Sequence, residues 1–217
     1  MIRPFGPLEF MVLVEGVRWT IALSLIAFAG GSVGGLVLAL MRISSNPWLN
    51  LPAKFLIRII QGTPLLMQLF LIFFGLGAYF NIDPWVAATI ALGFNASAFL
   101  GDIWRGCIQA VPGGQTEAGQ ALGLNYMDRM RFVVLPQALR LAYAPTVGFA
   151  VQIVKSTSLA AIIGFTEVTR AGQIINNATF QPFLVFGIVA AFYFALCWPL
   201  TLLSNALERR AATPLQR

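Results

Sequence analysis

The chain has 217 residues, of which 58% are hydrophobic and only 10% charged, and its net charge is +6. Its mean hydropathy of +0.79 excludes an ordinary water-soluble domain, where about a quarter of residues are charged. The absence of histidine excludes His-ligated metal sites and His-based acid–base catalysis. No G-x-x-x-x-G-K-[ST] run occurs, so the chain carries no phosphate-cradling loop of its own.

A membrane span needs about 20 mostly apolar residues to cross a core roughly 30 Å thick. Trp19–Met41 is the first such run, without a charge. It includes Ala27-Phe28-Ala29, which looks like a signal-cleavage site, but the apolar run continues to Met41 and Glu9 and Glu15 precede it. An uncleaved span is therefore expected. Within it, Gly30–Gly34 and Gly31–Gly35 are overlapping G-x-x-x-G spacings that predict close helix packing.

The breakers Asn46-Pro47 and Leu51-Pro52 come next, and a second uncharged run spans Ile59–Ile82, with Pro64 inside it. After Asp83-Pro84, a third span covers Trp85–Leu100 and contains Asn95 and Ser97. Pro112-Gly113-Gly114 ends that segment. From Glu117 onward, Ala118, Ala121, Leu122 and Leu124 alternate with polar residues, which predicts a short amphipathic helix. Thr116 is placed to cap it, Glu117 falls in its first turn and Gly123 is placed to end it. Leu135-Pro136 then opens a fourth span, Leu141–Val154, followed by an apolar run at Leu159–Phe165. The fifth lies in Ala171–Leu207, its apolar part starting near Phe183. Pro145 and Pro199 fall inside the last two spans. Cys107 and Cys197 both sit in apolar surroundings and read as free thiols.

The fold class predicted is thus an all-α membrane protein: five transmembrane helices, with a short helix between spans three and four, in a single domain over residues 1–217. With the N-terminus outside, the inner face collects Arg42, Lys54, Arg58, Arg105, Arg129, Arg131, Arg140, Arg209, Arg210 and Arg217. Only Arg3, Arg18, Lys155 and Arg170 remain outside or within spans. That bias is the positive-inside pattern, so topology accounts for the basic charge and nucleic acid is not an expected partner.

The loop between spans three and four reads Glu117-Ala118-Gly119, then Gly123, then Val133-Val134-Leu135-Pro136. It resembles the signature EAA-x3-G-x9-I-x-L-P of ABC-importer membrane subunits. Gly119 stands for the second Ala and Val133 for the Ile. The run Arg58 to Ile72, the run Gly106 to Leu124, Leu135-Pro136-Gln137-Ala138-Leu139-Arg140 and Lys155-Ser156-Thr157-Ser158-Leu159 look like stretches of polar amino-acid permeases.

That resemblance implies a permease subunit of an ATP-driven importer for polar amino acids, and not an enzyme. It implies a coupling loop over residues 112–136, with Glu117, Ala118, Gly119, Gly123, Leu135 and Pro136 meeting an ATPase. It also implies a second permease subunit, two ATPase subunits holding the ATP and Mg, a periplasmic binding protein and an inner-membrane location. No cofactor is expected on this chain. Opines and other small polar solutes are the alternative cargo.

Two departures stand out. Ser97-Ala98-Phe99-Leu100-Gly101-Asp102 replaces SAYxAE, and Ser156 replaces the polar or acidic residue usual after the lysine. Polar residues near membrane depth are costly unless functional or paired. Gln68, Asn95, Lys155, Ser156 and Glu167 are therefore candidates for the substrate pathway, with Asp102 and Arg170 beside them. Asp102 and Arg105 are also spaced to pair with each other, and Lys155, Glu167 and Arg170 to sit at headgroup level.

Overall fold

The computed structural model describes residues 4–212, with side chains to Arg210; Arg3 and Arg217 lie outside the described residues. The described residues fold almost wholly as helix: α1 Pro7–Ile43, α2 Pro47–Gly62, α3 Leu65–Phe70, α4 Pro84–Gln109, α5 Gly113–Ala121, α6 Tyr126–Asp128, α7 Leu135–Ser156, α8 Val168–Thr179 and α9 Pro182–Ala212. Four continuous helical stretches are long and apolar enough to cross a membrane: Pro7–Ile43, Pro84–Gln109, Tyr126–Ile163 and Pro182–Arg210. A fifth is a pair, Pro47–Gly62 and Leu65–Leu76, bent by 102°.

Local chemistry sets the helix starts. Pro7 opens α1, where the Glu9 carboxylate accepts the Gly6 N–H at 3.0 Å. Asn46 and Asp83 cap α2 and α4 by accepting from Trp48 N and Trp85 N, each followed by a proline at the first helical position. Pro52, expected as a breaker, instead lies inside α2, in its second turn. Pro145 and Pro199 sit inside α7 and α9 as expected.

The second apolar run, expected as one continuous span, is broken at Thr63-Pro64. Proline drives the preceding residue out of the helical region, and Thr63 is extended at ψ 138°. The open end of α2 is satisfied by side chains: Thr63 Oγ1 donates to Ile59 O at 2.9 Å, and Gln68 Nε2 to Ile60 O at 2.7 Å. A sharp turn at membrane depth is stable only when those carbonyls find donors.

The fourth span is longer than hydropathy implies. The α-helix proper, α7, begins at Leu135-Pro136 as expected, but it continues a π-type segment at Arg129–Val134, so that helix runs unbroken from Tyr126 to Ile163. Pro136 has no N–H to offer the turn before it, and the wider π turn falls where that bond is missing. The stretch ends as a 3-10 turn, Thr157–Ile163, at Gly164 with φ 89°.

The main seam joins α1 and α4. A Cβ at Gly31 would lie 2.3 Å from the Ala96 Cβ, one at Gly34 2.3 Å from Ser97 Oγ and one at Gly35 2.9 Å from the Leu100 Cβ. Gly30, the fourth residue of the predicted spacings, meets nothing within 4 Å. Around this seam, Leu23, Ala27, Ala91 and Ala96 join Leu69, Ile153 and Ile163 in the largest buried cluster. A second cluster ties Leu13 of α1 to Val168, Ala171 and Ile175 of α8 and to Val185 and Val189 of α9. Cys107 is half-buried, Cys197 is buried, and both are free thiols.

Candidate functional site

The break between α2 and α3 opens a cavity of about 280 Å3 against α4 and α7. Asn95 and Phe99, one turn apart on α4, form one wall. Gln152 and Ser156, one turn apart on α7, form another, with Phe149 beside them. Gln61 and Thr63 from the end of α2 complete the polar lining. Phe99 and Phe149 stack at 5.4 Å between centroids, nearly parallel at 16°.

Among the described residues, no charged side chain lines this cavity. Its polar groups are amides and hydroxyls beside two aromatic faces. Such a lining exchanges hydrogen bonds with a polar solute without demanding a counter-charge. Gln68 reaches it indirectly: its Nε2 donates to Ile60 O, Thr63 O and Thr63 Oγ1, and its Oε1 accepts from Asn95 Nδ2 at 3.4 Å. Gln68 thus holds the helix break and orients Asn95 together.

Of the candidates, Asn95 and Ser156 line the cavity and Gln68 adjoins it. Lys155 is exposed and Ser156 half-buried, on different sides of α7. Glu167 stands apart. It is fully buried and caps α8, accepting from Thr169 N and Arg170 N at 2.9 Å each. Tyr193 of α9 donates to it at 2.7 Å, and Thr20 of α1 sits 3.5 Å away. Burial pushes this carboxyl above the usual carboxylate range, while the hydrogen bonds from Thr169, Tyr193 and Arg170 pull it back. Asp102 pairs with Arg105 at 2.8 Å, and Arg170 donates to Gln173.

Sequence reading missed Gln61, Gln152, Phe99 and Phe149 as cavity walls. Gln152 lies one helical turn before Ser156 and could have been found by that spacing. The Thr20–Glu167–Tyr193 cluster joins residues far apart in the chain, which no local pattern reveals.

The segment over residues 112–136 follows α4. α5 begins after Pro112, so Glu117 falls in its middle rather than its first turn, and Thr116 is not its cap. Gly123, at φ 76°, ends it. There Leu124 N donates to Gly119 O at 3.0 Å and Gly123 N to Gln120 O at 2.9 Å. Asn125 then caps α6 by accepting from Asp128 N. Gln137 Nε2 donates to Gln115 Oε1 at 3.2 Å and ties α5 to α7.

Glu117 and Ala118 are exposed, whereas Gly119 is buried. A Cβ on residue 119 would lie 3.0 Å from Arg129 Cγ. An alanine at this position would press on the arginine stem, which would have to give by a few tenths of an ångström. Leu122, Tyr126, Met127 and Phe132 are each more than half exposed around this segment.

Comparison with known proteins agrees with this geometry. Residues 31–213 match the family described as binding-protein-dependent transport system inner membrane component. The chain is 36% identical over 202 residues to the glutamine transport system permease protein GlnP of Escherichia coli (strain K12), covering 92% of each. It is 34% identical over 207 residues to the octopine transport system permease protein OccM of Rhizobium meliloti, covering 89% of this chain and 84% of that one. The crystal structure of an amino acid ABC transporter superposes with a TM-score of 0.89 at 34% identity, covering 96% of this chain and 100% of that one. The helical bundle, its bent second span and the segment between α4 and α7 are therefore those of a multi-pass permease subunit, and the chain belongs to the family of inner-membrane components of binding-protein-dependent transport systems.

Proposed function

We propose that this subunit carries polar amino acids across the membrane through the cavity between the α2–α3 break, α4 and α7. The observation that carries the reading is the uncharged lining of Gln61, Asn95, Gln152 and Ser156. It fits amino acids whose side chains are polar and uncharged, because no fixed counter-ion is present for a cationic or acidic one. The glutamine permease relative supports the same class. The octopine permease relative keeps opines as the second cargo class.

In this reading the exposed face of α5, with Glu117, Ala118 and Leu122, meets an ATPase subunit, and Gly123, Leu135 and Pro136 shape the loop that holds it. Two ATPase subunits carry the ATP and Mg, a second permease subunit completes the channel, and a periplasmic binding protein delivers the solute. The N-terminus lies outside and the C-terminus inside, following the distribution of Arg and Lys. Residues 1–217 act as one permease domain.

The test is uptake by cells with and without this gene, using labelled glutamine, arginine, glutamate, alanine and octopine, with ATP depletion as control. Loss of ATP-dependent glutamine uptake alone is expected. Loss confined to arginine or glutamate would overturn the uncharged-lining argument, and loss confined to octopine would select the second class.

A further inference from the structure

A second cavity, of about 380 Å3, lies at the other end of α4 between the α1–α2 turn and the coupling segment. Arg42 and Arg129 both line it. Both are half-buried, and neither is within ion-pair distance of a carboxylate among the described residues. Their partners are neutral. Arg42 donates to Asn50 Oδ1, while Asn50 Nδ2 donates to Arg42 O at 2.8 Å, which locks the turn and the guanidinium together. Arg129 has one long contact, 3.5 Å to Leu124 O, and lies 6.0 Å from the Tyr126 ring centre. The rest of the polar lining is hydroxyl and amide, including Ser44 and Thr116.

Two arginines lining one cavity place like charges on its wall, and partial burial strengthens the repulsion between such charges. Neutral hydrogen-bond partners do not cancel it. An anion does, and the planar fork of arginine matches phosphate oxygens two at a time. Gly119 belongs to the same arrangement: a Cβ there would lie 3.0 Å from the Arg129 stem as it passes α5. The single glycine departure within the coupling signature thus lies against an arginine of this cavity rather than on the substrate path.

The geometry points to a phosphate-binding site between Arg42 and Arg129, whose occupant links the α1–α2 turn to the coupling segment. A basic cavity at a membrane–water boundary suits either the headgroup phosphate of an anionic lipid or a soluble phosphate. Its occupant would brace α5 against the span bundle, so that motion of α5 is passed on rather than absorbed by the loop.

The test uses the transporter assembled with its ATPase subunits in nanodiscs. In one arm, phosphatidylglycerol is raised stepwise in phosphatidylcholine, and the lipid retained per complex is counted by native mass spectrometry. In the other, discs of pure phosphatidylcholine are titrated with inorganic phosphate at constant ionic strength, read by phosphorus NMR line width. Saturable binding in the first arm identifies a lipid headgroup, and in the second a soluble phosphate. The double variant Arg42→Gln/Arg129→Gln is expected to bind at least tenfold more weakly. Arg140→Gln, an exposed arginine outside the cavity, is expected to bind as the parent does. Absence of saturable binding by the parent transporter in both arms overturns the proposal without reliance on any variant. So does equal binding by the double variant.

Discussion

Substituting Gly31 by alanine tests whether α1 and α4 are held by backbone contact. The added Cβ would fall 2.3 Å from the Ala96 Cβ, 3.2 Å from its carbonyl carbon and 3.3 Å from its Cα. Carbon atoms pack at roughly 3.5–4.0 Å, so the helices must part by at least about 1.2 Å. Ala96 is fully buried and has no rotamer by which to yield. Separation there also loosens the tight approaches at Gly34 and Gly35. Overpacking of this kind costs about 1–3 kcal/mol, against a helix-propensity gain of up to about 1 kcal/mol. With the full propensity gain the net loss is about 0–2 kcal/mol; at roughly 2–4 °C per kcal/mol for a chain of this size, the melting temperature should fall by up to about 8 °C. The assay is thermal unfolding of the purified subunit in detergent. Gly30→Ala is the control, because nothing lies within 4 Å of that position; it should leave the melting temperature unchanged or slightly raised. A Gly31→Ala protein that melts no lower than Gly30→Ala would refute the close-packed seam.

The remaining predictions address the cavity, the helix break, the coupling segment and the buried carboxylate. Asn95→Leu removes a polar wall of the cavity proposed to carry substrate and should raise the KM for uptake by about tenfold, corresponding to roughly 1.4 kcal/mol, with assembly unchanged by gel filtration. Gln68→Leu leaves the Ile60 carbonyl without its 2.7 Å donor and should cost about 1–3 kcal/mol, seen as a lower melting temperature. Glu117→Lys reverses an exposed charge on α5; ATP-driven uptake and co-purification of the ATPase should both fall, and retention of both would remove Glu117 from the coupling surface. Glu167→Ala strips α8 of its cap and leaves Tyr193 without its 2.7 Å acceptor. It should cost at least about 1–3 kcal/mol, whereas Glu167→Gln, which keeps one acceptor oxygen, should lose less.

Composition and motif spacing alone established an all-helical membrane chain with five apolar runs, because the need for about 20 apolar residues per crossing writes itself into hydropathy. They also placed the helix stop at Gly123, since only a residue tolerant of positive φ ends a helix there cheaply. The 102° break of the second span was not legible. A proline inside an apolar run kinks one helix and severs another, and the difference here lies in donors from Thr63 and Gln68 that fold back onto the open end. Hydropathy likewise stopped the fourth span at its apolar stretch, while helix extends back to Tyr126 through the π turn.

The site divided in the same way. Asn95 and Ser156 could be singled out because a polar side chain among apolar neighbours is visible in one dimension. Which polar residues share a cavity depends on how α2, α4 and α7 pack, and only the tertiary structure decided that Gln61, Gln152 and the stacked pair Phe99–Phe149 join them. Glu167, another candidate in the sequence, lies at the start of α8 between Thr20 and Tyr193, contacts that are 147 and 26 residues away. Spacing identifies what one helix presents on one face; three-dimensional packing decides what that face meets.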